Sequence, residues 1–168
     1  MKNRKLQAKL YSIYNNISAY MLHFGNIAQY KAARNMKLDG IGLFVNDMAK
    51  MVRFYRDVLG FEITEGENAV NVYLVKDGTL FMLYERKNFE AMTSRKYEYL
   101  KGLNGHFEIA LYVDTFDEVD ERFAEVVAKG ATPVLEPTTE TWGQRTCYVA
   151  DPEGNLVEIG SFNKPFDR

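Results

Sequence analysis

One pattern occurs twice in this chain, and any fold must accommodate both copies. Between residues 38 and 46, Ile41, Leu43 and Val45 alternate with Gly40, Gly42, Phe44 and Asn46, the period of a strand with one packed face. Asp47 can cap the helix that follows, in which Met48, Met51, Val52, Tyr55, Val58 and Leu59 recur at helical spacing before Gly60 ends it. Strands are predicted at about 61–65, 70–76 and 79–85, the last two joined by Asp77 and Gly78, a short hairpin signal. After a polar linker at 87–104, with apolar spacing for one short helix, the pattern returns. Phe107, Ile109, Leu111 and Val113 alternate with His106, Glu108, Ala110, Tyr112 and Asp114, and a helix carrying Phe116, Val119, Phe123, Val126 and Val127 runs to Gly130. A strand near 132–136 precedes a hairpin of 146–150 and 156–161. Its turn, Asp151-Pro152-Glu153-Gly154-Asn155, combines a preset proline φ with residues that tolerate positive φ. Each half reads strand, helix, strand, strand, strand, so the chain is an α+β protein with an internal repeat.

The 168 residues, 46% hydrophobic and 14% aromatic, are enough for one well-packed core. No run of eighteen apolar residues occurs, which excludes a spanning helix, and a net charge of -2 gives no reason to expect nucleic acid. With one cysteine, Cys147, an internal disulfide is impossible, a reducing cytoplasm fits best, and Cys147 reads as a small buried strand residue.

Residues 1–35 are different: they hold six basic residues and no acidic one, leaving 15 basic against 23 acidic for the rest. Leu6, Leu10, Ile13, Tyr14, Ile17 and Met21 recur at helical spacing over about 4–22. A basic interfacial or targeting helix, a partner-binding appendage and a leader translated upstream of a start at Met36 all fit this extension. No role follows for His23. The domain proper is expected over 36–168, with modules at 36–86 and 105–163.

Counting through the repeat finds equivalent positions. Gly40 lies five residues before Val45 as Glu108 lies five before Val113; Met82 lies four after Gly78 as Glu158 lies four after Gly154. On the last strand Val157 and Ile159 point one way and Glu158 the other. A concave sheet with its helices outside would gather Gly40, Met82, Glu108 and Glu158 toward one hollow, with Phe44, Tyr84, His106 and Tyr112 on the same surface. Trp142, beside Gly143 in a loop, is a candidate ligand contact. The two carboxylates read in two ways. They are hydrogen-bonded to water or neutralised by a cation such as Arg145, or they receive a cationic ligand between the aromatic walls of Phe44, Tyr84, Tyr112 and Trp142.

The two βαβββ modules, the glycines ending the helices, the DPEGN turn and the WGQR stretch before it resemble the vicinal oxygen chelate superfamily, which includes glyoxalase I, bleomycin resistance proteins and extradiol dioxygenases. The resemblance covers about 36–163 and implies the paired-module concave sheet, a homodimer and a small-molecule site. Metal-using members place His, Glu or Gln on the first and last strands of each module. Those positions here are Gly40, with no side chain, Met82, a thioether poorly suited to hard cations, Glu108 and Glu158. No cofactor is therefore favoured; a divalent metal, if held, would use Glu108, Glu158 and His106. The reading is a small-molecule-binding protein like the metal-free, bleomycin-resistance branch. The alternatives are a metal-dependent lyase resembling glyoxalase I, with Glu158 as ligand or proton shuttle, and a non-catalytic subunit or regulator.

Overall fold

In the computed structural model the chain divides into two units, Met1–Leu38 and Asp39–Arg168. The structure describes residues 38–164; the basic helix expected at about 4–22 and His23 lie outside them. Strand β1 (Gly40–Val45) leads to helix α1 (Met48–Arg53), whose N-terminus is capped as expected by the Asp47 carboxylate accepting from the Lys50 amide at 3.1 Å. The helix continues into a π turn (Phe54–Val58), which seats Phe54 and Tyr55 in the core, and stops at Gly60 with φ +73°.

The expected strand at 61–65 does not form. Phe61 and Ile63 are buried like strand residues, but the Phe61 amide donates to the Tyr55 carbonyl and the Ile63 amide to Phe61, so the backbone is satisfied locally. The first sheet consequently has three strands in the order β1-β3-β2, with β2 at Asn71–Lys76 and β3 at Thr79–Glu85. The β2–β3 turn has Asp77 and Gly78 at φ +49° and +79°, the primed geometry the hairpin signal implies. The linker begins with helix α2 (Arg86–Thr93), directly after β3.

The second sheet has the order β4-β7-β6-β5: β4 (Asn104–Tyr112), β5 (Thr132–Thr139), β6 (Arg145–Ala150) and β7 (Asn155–Ser161), with helix α3 (Phe116–Ala128) packed on it. A capping box fixes the start of α3, Thr115 and Glu118 each bonding the other's backbone amide. In both modules the first strand runs parallel to the last, pairing Gly42 with Met82 and Ala110 with Glu158. One buried cluster spans both modules, from Leu43, Tyr55 and Phe81 to Val119, Cys147 and Val157.

The DPEGN turn ties the modules together. The buried Asp151 carboxylate accepts from the Glu153 and Asn155 amides on Oδ1, and from the Asn155 side chain and the Tyr55 phenol (3.1 Å) on Oδ2. Glu153 reaches across to the start of α1, accepting from the Asn46 and Asp47 amides at 2.6 and 2.9 Å and pairing with Arg86 at 2.6 Å. Gly154 has φ +87°, and a Cβ there would lie 1.9 Å from the Gly102 carbonyl, so the linker can pass over the turn only above a glycine.

Candidate ligand-binding site

The face of the second sheet opposite α3 carries a connected polar network. Tyr148 stands opposite Glu158 and Thr146 opposite Gly160 across the β6–β7 ladder, so the side chains of Thr146, Tyr148 and Glu158 emerge on one face. Glu158 is 5% exposed. Its Oε1 accepts from Thr146 Oγ1 at 2.7 Å and from Gln144 Nε2 at 2.9 Å. The Gln144 amide also donates to the Tyr112 hydroxyl at 3.0 Å and accepts from the Trp142 indole N–H at 2.9 Å. Nearby, the Tyr148 hydroxyl donates to Glu108 at 2.8 Å. Burial first, and then the facing carboxylates, push both phenols up: Glu158 acts on Tyr112, and the hydrogen bond to Glu108 on Tyr148. Both are therefore neutral hydrogen-bonding groups at neutral pH. Tyr112 stacks on Phe162 with planes 8° apart, and Trp142, in the loop between β5 and β6, is 64% exposed.

Tyr112, Trp142 and Glu158 thus fall in one network, and Glu108, bonded to Tyr148, shares its face. Phe44, Met82 and Tyr84 fall in another group, on the first sheet: Phe44 packs on Phe89 at 4.2 Å between ring centres, Tyr84 meets both of them and Tyr73, and Met82 lies beside Gly42. The two sheets share no strand pairing. His106 does not join the carboxylates. The β4–β7 register jumps between Asn104 and Glu108, a bulge that breaks the strict alternation on which its placement beside Glu108 rested. It lines a recess of about 150 Å³ with Phe44, Arg86, Asn104 and Glu153, next to the DPEGN turn.

Arg145 requires a correction. It sits one residue out of phase with Thr146 and so points to the helix side, where its guanidinium pairs with Asp120 of α3 at 2.6 Å and bonds Thr139. It neutralises neither carboxylate, and among the described residues neither Glu108 nor Glu158 has an ion-pair partner. Gln144, absent from the predicted set, takes the central place instead. Cys147 is fully buried, as expected, and burial pushes its thiol up to about 12, which makes it inert as a nucleophile.

The metal positions fail on space and on chemistry. A Cβ on Gly40 would lie 2.4 Å from the Leu80 carbonyl, so no ligand side chain can occupy that position without moving the strand. Met82 offers sulfur, and among the described residues no three His, Cys, Asp or Glu side chains converge as a metal would need, Glu108, Glu158 and His106 included.

Two modules, each a strand and helix followed by further strands and each with its first strand parallel to its last, three-stranded in the first and four-stranded in the second, define a paired-module α+β protein. Residues 37–159 match the model of the Glyoxalase/Bleomycin resistance protein/Dioxygenase superfamily, and the chain belongs to that family. It is 32% identical over 127 residues to the uncharacterized protein YraH of Bacillus subtilis, covering 74% of this chain and 97% of that one. A virulence protein of Salmonella typhimurium is 24% identical over 129 residues, covering 75% and 84%. Among solved structures, a glyoxalase/bleomycin resistance protein/dioxygenase family enzyme from Burkholderia phytofirmans superposes with a TM-score of 0.65 at 23% identity, covering 76% of this chain and 99% of that one. That likeness supports the fold. Among the described residues, no helix is long and apolar enough to cross a membrane.

Proposed function

We infer that the protein binds a small cationic aromatic molecule on the Glu158 face of its second module, acting as a binding protein of the bleomycin-resistance type. One observation carries this reading: a nearly buried carboxylate held by the neutral side chains of Gln144 and Thr146, while Arg145, the cation expected to neutralise it, is paired with Asp120 instead. Among the described residues both hydrogen bonds land on Oε1, and Oε2 is the oxygen proposed to accept from a ligand. Glu108 adds a second charge, and Trp142 and Tyr112 supply flat faces, each cation–π contact contributing about 0.5–2 kcal/mol. A protein of this kind works as a homodimer in the cytoplasm, where a partner copy could present its aromatic first-module face to the ligand.

The lyase alternative needs a metal, and the space at Gly40 and the thioether at Met82 oppose it. Trp142 is the single tryptophan of the chain, so its fluorescence reports this face alone. N-methylquinolinium should quench it, bind more weakly as salt is raised and more weakly still in Glu158→Gln or Glu108→Gln, while neutral methylnaphthalene of the same shape binds less well. Equal binding of the two probes, or calorimetric binding without a change at Trp142, would overturn the reading.

A further inference from the structure

We propose that Gln144 is a positioning residue that couples the exposed indole of Trp142 to the buried carboxylate of Glu158, and that Gly160 is glycine because the Gln144 amide must lie across it. The inference concerns the same face as the proposed function, but it stands on geometry that exists before any ligand arrives.

A side-chain amide can turn over by half a rotation, exchanging donor and acceptor. Gln144 cannot do so without loss. Its Oε1 faces an N–H that only donates, the Trp142 indole, and its Nε2 faces Glu158 Oε1 and the Tyr112 hydroxyl. Turning it over would set oxygen against carboxylate and NH2 against the indole N–H, in a residue only 6% exposed. The β5–β6 loop supports this orientation from behind: the Glu140 amide donates to the Gln144 carbonyl at 2.7 Å, and Gly143, at φ +88°, donates to Glu140. Glu158 in turn fixes where the amide sits, and the amide fixes the plane of the indole.

Gly160 pairs with Thr146 across the ladder, two residues beyond Glu158 and on the same side of β7. A Cβ there would fall 2.8 Å from Gln144 Nε2, but at an ordinary 3.6 Å from the Arg145 carbonyl and from Glu158 Oε1. The sole close contact is thus with the far end of a flexible side chain. Gly160→Ala should push the Gln144 amide away and leave the ladder standing. The consequence for recognition is that the stacking surface and the charge behave as one unit: a ligand that moves the indole also moves the donor on Glu158.

The test uses the full-length protein and the one indole N–H cross-peak in its ¹H–¹⁵N spectrum. On a side chain so exposed, a free indole N–H exchanges freely with solvent; bonded to Gln144 it should exchange about tenfold more slowly. Glu158→Gln should move that cross-peak even though it alters no atom touching the indole. In Gly160→Ala both effects should vanish, with exchange returning to the free rate. Gln144→Leu, which fills the same space without polar atoms, should reproduce the loss if the alanine variant folds poorly. An indole that exchanges freely in the native protein, or one that responds to Glu158→Gln as strongly in the Gly160→Ala background, would overturn the proposal. None of these readouts needs a ligand, so a failure of N-methylquinolinium to bind would count against the proposed function alone.

Discussion

The bond between Tyr55 and Asp151 crosses from one module to the other, and its removal is the sharpest test of how the turn holds the fold. Tyr55 is fully buried in the π turn after α1, with Phe54, Phe61 and Phe81 around its ring. Burial, then the Asp151 charge, push its phenol well up, so it is a neutral donor throughout the working range. Tyr55→Phe keeps the ring packing and deletes one hydrogen bond to a charged acceptor. Such bonds contribute about 1.5–3 kcal/mol. At 3.1 Å this one is long, and Asp151 keeps three other donors, so the loss should lie near the lower end, at about 1.5 kcal/mol. Asp151→Ala strips all four acceptances at once and leaves the phenol and the turn amides unpaired. It should cost about 3–5 kcal/mol, as breaking a buried charged network does. Urea unfolding followed by circular dichroism measures both variants, and the double variant supplies the coupling: Tyr55→Phe in the Asp151→Ala background should cost far less than it does alone. If Tyr55→Phe lay within about 0.5 kcal/mol of native, or if the two losses added, the bond would not be part of what joins the modules.

Two further outcomes are expected. Protein dialysed after purification should carry far less than one equivalent of zinc, nickel, manganese or iron by elemental analysis, because Gly40 cannot be given a side chain and Met82 is a poor ligand for such ions; stoichiometric metal that disappears in Glu158→Gln would restore the lyase reading. A chain begun at Met36 should melt cooperatively near the full-length temperature, given the self-contained pattern that follows it; a loss above about 2 kcal/mol, more than most single substitutions cost, would show that the basic extension packs on the core.

What could be read from the residues was whatever depends on local periodicity and backbone chemistry. The alternation of Leu43 and Val45, and of Ile109 and Leu111, reports a face packed in the core, although Ile41 at the start of β1 is left 40% exposed; Asp47, Gly60 and Gly130 act at helix ends where their chemistry implies. Phe61 to Glu65 failed for a different reason. Burying Phe61 and Ile63 needs alternation, but a strand also needs a partner, and here the Glu65 carboxylate rather than a neighbouring backbone meets the edge amide of Tyr73, at 3.4 Å. His106 was misplaced because a bulge shifts phase without an obligatory residue type, although Gly105 stands where one occurs. Arg145 was misplaced although its phase was legible: Thr146 and Tyr148 share the Glu158 face, so Arg145 and Cys147 must take the other. Gln144 also left a trace. A glycine inside a strand, as at Gly160, marks a close approach, and the side chain that approaches is Gln144.

Strand parity also makes a repeated fold compatible with an unrepeated site. Gly42 pairs with Met82 in the first sheet where Ala110 pairs with Glu158 in the second, so the backbones present equivalent positions while their chemistry differs. In the first module Gly40 and Gly42 remove side chains from β1, and the space beside Gly42 is taken by the Met82 thioether, with the rings of Phe44, Tyr73, Tyr84 and Phe89 in mutual contact nearby. Those strand positions offer dispersion and π faces but no carboxylate. In the second module the equivalent strands carry Glu108 and Glu158, and the loop before β6 delivers Gln144 to orient the buried one. A buried carboxylate without a cation is costly, and hydrogen bonds from neutral donors offset only part of that cost. A cationic ligand would supply the missing charge and would gain the most from doing so where water is already excluded. Selection between ligands should therefore be decided by charge on the second module and by ring area on either, which is why Glu158→Gln is expected to narrow the gap between N-methylquinolinium and methylnaphthalene rather than to weaken both alike.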